Sequence, residues 1–436
     1  MEKHMLLIIL AAWFCTTTWV ITPHEEFARD VRRSAYCYVI YPDKNLPVLT
    51  KAPEGYEPFY IDHYGRHGSR WLTSAKAYST PIEILKMGAR NGCLTAKGKE
   101  TLAKLKMLNE ASQNRWGELT SLGAEQHRGI AQRMVKNFPS VFAGNAHIEA
   151  RSTTKIRCIL SMTNELQVFT AHNPRISINS DASAADMYYL KSEPRAFIDS
   201  LVKPAMPQLL EIMKADIDFS HFYTQLFTDM KFVADSIVPT DLVGKMYELT
   251  SNMQSHKEEI NISFYDLFTI DELYGIWNKF NTWNYVHLAA CPLAGSVCPY
   301  VTGVPLLRNI IVSCDSAIVS GHNGATLRFG HDTVIMPTVC LMGLNWFGVQ
   351  VTDLNKVSQI WQNYHIFPMA ANLQMVFYRR VKGEYHPNDI LVKMVYNEHE
   401  ATLPIAAVDG SYYRWTDVKN YFENIILRSP YKDFGY

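Results

Sequence analysis

"YIDHYGRHGSRWLTS", residues 60–74, ends a run of strand-forming residues and then sets Arg66, His67, Gly68, Ser69 and Arg70 side by side. The turn-rich "PEGYEP" ahead of it, with Phe59, Ile61 and Tyr64 as apolar or aromatic members, predicts a turn followed by a strand. The five-residue group then falls just past a strand end. A helix following it would aim backbone N–H groups and the positive end of its dipole at the loop, which makes an anion site. Guanidiniums on both sides disfavour a charged imidazole and attract anions, so the group suits a neutral nucleophile facing phosphate.

The same plan recurs twice. In "NAHIEARSTTKIRCILSMTNELQVF" a strand is predicted from His147 to Ala150, with Arg151 at its C-terminal end and a cap at Ser152 to Thr154. A helix follows, with Ile156, Ile159, Leu160 and Met162 on a helical period. In "ATLRFGHDTVIMPTVCLMGL" Thr326 to Phe329 read as a strand and Gly330 as the turn, with Asp332 capping a helix from Thr333. Three strand ends thus deliver His, Arg or Asp, and open α/β sheets bind ligands where strand C-termini converge. Arg66, Arg70 and Arg151 can each fork onto phosphate oxygens, His67 can attack phosphorus, and Asp332 can protonate the leaving oxygen. The isolated His63, His127 and His322 are read as structural, and Arg157 as a helix-surface or ion-pairing residue.

The rest of the chain sets the frame. At 436 residues it exceeds one ordinary core, which favours a large domain with an insertion or two domains. Lys plus Arg and Asp plus Glu both number 42, so no global charge points to nucleic acid or a membrane surface. Any anion must be held by local charge. "MEKHMLLIILAAWFCTTTWVITPHEE" reads as an export signal over residues 1–22, and so as a periplasmic or extracellular protein. The alternative, a membrane anchor, is short of the ~20 residues a spanning helix needs and is interrupted by Thr16 to Thr18. Without Cys15 the remaining cysteines are Cys37, Cys93, Cys158, Cys291, Cys298, Cys314 and Cys340, an odd set in which only Cys291 and Cys298 suggest a bridge. No CxxC, HExxH or glycine-rich phosphate loop occurs, so neither a metal nor another cofactor is expected. Residues 176–305 are helical in period, while "NLQMVFYRR" and "ILVKMVYNEHEATLPI" read as strands returning to the sheet, which predicts a discontinuous α/β core over 23–175 and 306–436.

"YGRHGSRWLT" resembles the RHGxRxPT signature of the histidine acid phosphatases, with Leu72 in place of proline and Thr73 kept. "GELTSLGAEQHRGIAQRM" is similar to the segment that follows in that family, "RSTTKIRCILSM" to its RST helix and "RFGHD" to its late His-Asp pair. The resemblance implies a central α/β sheet flanked by helices with a mostly helical cap, and a phosphomonoesterase that works through a phosphohistidine. By position it implies His67 as nucleophile, Arg66, Arg70, Arg151 and His331 as the phosphate pocket, and Asp332 as proton donor. Within the family the lead-in looks most like bacterial multiple inositol polyphosphate phosphatases. Those enzymes typically carry His-Ala-Glu where this chain has His331-Asp332, as phytases and general acid phosphatases do. Residues 76–106 carry Lys76, Lys86, Arg90, Lys97, Lys99, Lys104 and Lys106 against Glu83 and Glu100, so Lys97 and Lys99 are candidates for a polyphosphate rim; the alternative is a solvated helix face. Rival functions are a broad-specificity or sugar-phosphate acid phosphatase, a mutase-like phosphotransferase and a non-catalytic exported anion-binding protein. Phosphate release from a monoester separates the enzymes from the binder.

Overall fold

The computed structural model describes residues 21–191, 194–383 and 386–430; residues 1–22, expected to be an export signal, lie almost wholly outside them. β1 (Tyr56–Arg66) runs through the middle of an eight-stranded sheet. On one side lie β4 (Gly324–Gly330), β2 (His147–Ser152) and β3 (Ser177–Asp181), all parallel. On the other lie β5 (Asn372–Arg380), β6 (Leu391–Tyr396) and β7 (His399–Ala401), antiparallel, with β8 (Tyr412–Arg414) also on β6. β1 is therefore the junction between the two halves. Its register sets Arg66 opposite Gly330, and Ser152 lies opposite Phe329, so three strand C-termini open on one edge.

Side-chain alternation along β1 divides the core in two. Ile61 joins Ile148, Leu327 and Val376 beneath the helices Ser121–Asn137 and Ile156–His172, while Tyr60 and Tyr64 face the core that includes helix Cys298–Ser320. A register shift between Pro58 and Tyr60 puts Phe59 on the same side as Tyr60. Burying the four aliphatic residues contributes roughly 2 kcal/mol each, a sum comparable with the several kcal/mol it costs to bury an ion. One such ion pair crosses the other face. Asp62 Oδ1 accepts from Arg328 Nη1 at 2.8 Å, and Ser313 of the long helix donates to Asp62 Oδ2 at 2.7 Å.

Three expectations change here. β3 belongs to the sheet, which therefore extends past residue 176, where a helical insertion was expected to begin; its "SINSD" is a mostly exposed edge strand without the apolar alternation that would have marked it. At the other end, one helix runs unbroken from Cys298 to Ser320, across the boundary placed at 305/306, and packs against β1 through Ser313. Cys291 and Cys298 are not bridged: both are buried free thiols, and burial pushes both pKa values up, Cys298 to about 12. They act as small apolar core residues. Among the described residues Cys298–Ser320 is also the one helix long and apolar enough to cross a membrane, and Val301, Leu306, Leu307, Ile310 and Cys314 on it are buried in the core.

Candidate active site

The loop after β1 is held by segment 117–123. Trp71 N–H bonds to Glu118 O at 2.9 Å, Gly117 N–H to Leu72 O at 2.9 Å and Thr120 N–H to Ser69 O at 2.9 Å. Thr120 then caps helix Ser121–Asn137 by accepting from Gly123 N–H. The backbones come so close that a Cβ on Gly68 would lie 2.4 Å from Gly123 O, and one on Gly123 would lie 2.2 Å from Ser69 O. Glycine is required at both positions. The amides of the loop itself are occupied: His67 N–H bonds to Gly330 O, Gly68 N–H to Ser161 Oγ and Ser69 N–H to Gln126 Oε1. Positive charge beside His67 comes from guanidinium groups.

His67 is buried, and its Nδ1 lies 2.9 Å from Gly68 O. A carbonyl only accepts, so Nδ1 carries the proton and the lone pair falls to Nε2. Burial, then the charges of Arg157, Arg66, His331 and Arg70, hold its pKa well below the usual histidine range. The imidazole is neutral across mildly acidic pH. Its carbonyl accepts from Ala370 N–H at 3.1 Å, and Ala370 sits at φ 58, a conformation costing a residue with a Cβ about 1–2 kcal/mol.

Arg66, 1% exposed, donates from Nη1 to Phe367 O at 2.6 Å and from Nη2 to Asp332 Oδ2 at 2.9 Å, leaving Nε without a partner. Arg70 donates to Trp71 O and lies over the Tyr38 ring, again with Nε unpartnered. Asp332 opens helix Asp332–Leu341, one residue earlier than expected, and its Oδ1 accepts from Thr333 N–H. Burial alone would raise its carboxyl, but Arg66, His331 and Arg70 overcome that and hold it below the normal range. The His331 ring stands 5.5 Å from that of His67, with Nε2 near Thr153 Oγ1 at 3.3 Å; burial and then Arg157 lower its pKa, against the upward pull of Asp332.

Arg151 is not brought into this ring. It donates to Ala150 O and Asn179 O, pairs with Glu149 at 2.8 Å and reaches Asp186 at 3.8 Å. The reason is alternation along β2: buried Ala150 and Ser152 leave Arg151 on the opposite, partly exposed face. Arg157, read from sequence as a helix-surface or ion-pairing residue, is the arginine of this region whose charge acts on His67 instead. It sits half-buried on the first turn of helix Ile156–His172 with Nε unpartnered, and of the neighbouring charges it lowers His67 and His331 most. Its own pKa falls through burial and the neighbouring Arg70. The available signal was spacing: Arg157 precedes Cys158 and Ser161, whose buried face meets His331 and Gly68. Lys97 is ion-paired to Asp266 and Glu100, while Lys99 is exposed on the same helix.

Residues 65–397 match the model of the histidine phosphatase superfamily (branch 2), and the chain belongs to that superfamily. The fold is similar to that of Bifidobacterium longum multiple inositol polyphosphate phosphatase in complex with inositol hexasulfate, at 20% identity and a TM-score of 0.72 over 89% of this chain and 97% of that one. The phosphate complex of the same protein gives a TM-score of 0.73. The phytase from D. castellii follows at 17% identity and 0.64, over 92% of this chain and 86% of that one. No curated protein sequence matches the chain.

Proposed function

We propose that the protein hydrolyses phosphate monoesters through a phosphohistidine at His67. The observation that carries this is a neutral buried imidazole surrounded by Arg66, Arg70 and Arg157, whose Nε donors lack partners among the described residues. The guanidiniums take the non-bridging oxygens and neutralise them in ground and transition states. Nε2 attacks phosphorus as the ester P–O bond breaks, and Asp332 gives its proton to the departing oxygen. Water then attacks the phosphohistidine, the Asp332 carboxylate accepts its proton, and phosphate leaves. In the empty pocket the arginines keep Asp332 ionised; a bound phosphoryl dianion neutralises them and lets the carboxyl hold the proton it donates. His331 completes the pocket, and Arg157 takes the role expected of Arg151.

The fold likeness to an inositol polyphosphate phosphatase and a phytase supports inositol polyphosphates as substrates. A broad-specificity monoesterase is favoured by a different observation, the engagement of Lys97 with carboxylates, which removes a candidate rim cation. The leader composition supports export to the periplasm or beyond. Phosphate release from inositol hexakisphosphate, a sugar phosphate and nitrophenyl phosphate separates these readings. His67→Ala lowers turnover on every substrate by roughly 10⁴-fold or more. A variant retaining most of its activity would exclude His67 as nucleophile.

A further inference from the structure

Tyr64, two residues before Arg66, has no part in the chemistry above. Its hydroxyl nonetheless lies at a junction of three chain segments. It accepts from His331 N–H at 3.1 Å and donates to Leu190 O at 3.1 Å, all buried. The fit depends on Gly330: a Cβ there would lie 2.0 Å from the Tyr64 oxygen and 2.9 Å from Leu190 O. The segment holding Leu190 is tied down a second time, because Arg151 reaches Asp186 at 3.8 Å and Tyr189 donates to Asp186 at 2.9 Å. Residues 186–190 are thus fastened to the sheet edge at both ends, one fastener being the arginine that the pocket does not use.

We infer that Tyr64 is a positioning residue: its hydroxyl fixes the backbone at Gly330–His331, and with it the direction in which Asp332 meets the leaving oxygen, against the Asp186–Leu190 segment. The geometry gives the reason. His331 is the N-cap of the helix that Asp332 opens, so its N–H is one of the donors that the helix itself cannot satisfy. The phenol satisfies it from β1, the strand that also carries Arg66, the ion-pair partner of Asp332. Acid and guanidinium are therefore set from one strand. Without the hydroxyl, His331 N–H and Leu190 O lose a buried partner and the start of the helix can shift. Arg70 and Arg157 lie on other attachments, and Arg66 keeps its bond to Phe367 O, so the guanidiniums keep their hold on phosphate.

This rests on Asp332 acting as the proton donor, and the test separates the two claims. Tyr64→Phe is compared with Asp332→Asn in pre-steady-state phosphorylation by nitrophenyl phosphate, which needs little leaving-group protonation, and by an alkyl phosphate, which needs it. Asp332→Asn should lower the alkyl rate by ~10²–10⁴-fold and the aryl rate much less. Tyr64→Phe should show the same asymmetry at smaller size, about 10-fold on the alkyl ester with the aryl rate within about threefold. Hydrogen exchange at the His331 amide should quicken at least about 10-fold in Tyr64→Phe while strand amides elsewhere are unchanged. If Asp332→Asn is asymmetric and Tyr64→Phe is not, the positioning role is wrong. If Asp332→Asn shows no asymmetry, the proton-donor reading fails and the role built on it falls too. An unchanged His331 amide in Tyr64→Phe would overturn the inference whatever the kinetics.

Discussion

Arg66 and Arg328 stand near one another on neighbouring strands, each 1% exposed, and differ in how they are used. Every nitrogen of Arg328 has a partner: Nε bonds to Asn309 Oδ1 at 2.7 Å, Nη1 to Asp62 at 2.8 Å and Nη2 to Ser313 Oγ at 2.7 Å. Arg66, Arg70 and Arg157 each keep an Nε donor that no atom among the described residues takes. A saturated guanidinium pins β1, β4 and the long helix together. On the proposed function, unsaturated guanidiniums beside a neutral imidazole are donors held for a ligand. Burial alone does not separate the two uses; the state of the donors does.

That comparison breaks most visibly at Asp62. Asp62→Ala leaves Arg328 as an uncompensated buried cation and should lower stability by about 3–5 kcal/mol, with kcat of the protein that remains folded little changed. Chemical denaturation with parallel kinetics checks this, and a loss of kcat without a loss of stability would erase the distinction. The mirror case is Arg157→Ala, expected to lower kcat/KM by ~10²–10³-fold with an almost unaltered unfolding midpoint.

Histidines extend the contrast. His63 lies in the sheet interior with both ring nitrogens unpartnered among the described residues, and burial pulls its pKa to about 3. Below about pH 6.5 the unfolded chain takes up a proton that the native state refuses, so stability falls with pH by up to about 1.4 kcal/mol per unit until pH approaches the folded value. His63→Leu should flatten the urea-measured stability profile between pH 6.5 and 4 by that one proton; an unchanged slope would mean His63 does not stay neutral. The smallest effects belong to Arg151→Ala and Lys97→Glu, both within about threefold in kcat/KM on inositol hexakisphosphate, since each side chain engages carboxylates away from the ring. A larger loss with Lys97→Glu than on nitrophenyl phosphate would restore the polyphosphate rim.

Strand ends were legible in the sequence because apolar runs stop at Arg66, Arg151 and Gly330, within two residues of where β1, β2 and β4 end, and backbone register brings those ends together. Which side chain turns inward was not. Helix Ile156–His172 was visible by period, yet Ile156 and Leu160 are exposed while Ser161 and Glu165 are buried, because Ser161 serves Gly68 and Glu165 pairs with His127 at 2.7 Å. Reading the apolar residues as the inner face put Arg157 outside, and reading a strand terminus as the pocket put Arg151 inside. Both slips have one cause: around a polar site the buried face is itself polar, and hydrophobic pattern points away from it. β3 escaped for the complementary reason, as a polar edge strand held by backbone pairing and by polar side chains of β2.

The claim at the centre of this account is that the lone pair of His67 Nε2 attacks phosphorus because Gly68 O fixes the proton on Nδ1. The direct measurement is to quench wild-type enzyme with nitrophenyl phosphate on the millisecond scale and locate the phosphoryl group by phosphorus NMR of the labelled protein. Close to one phosphoryl group per chain on His67 Nε2 is the predicted result; phosphate on Nδ1, on another residue, or on none while turnover proceeds would contradict it.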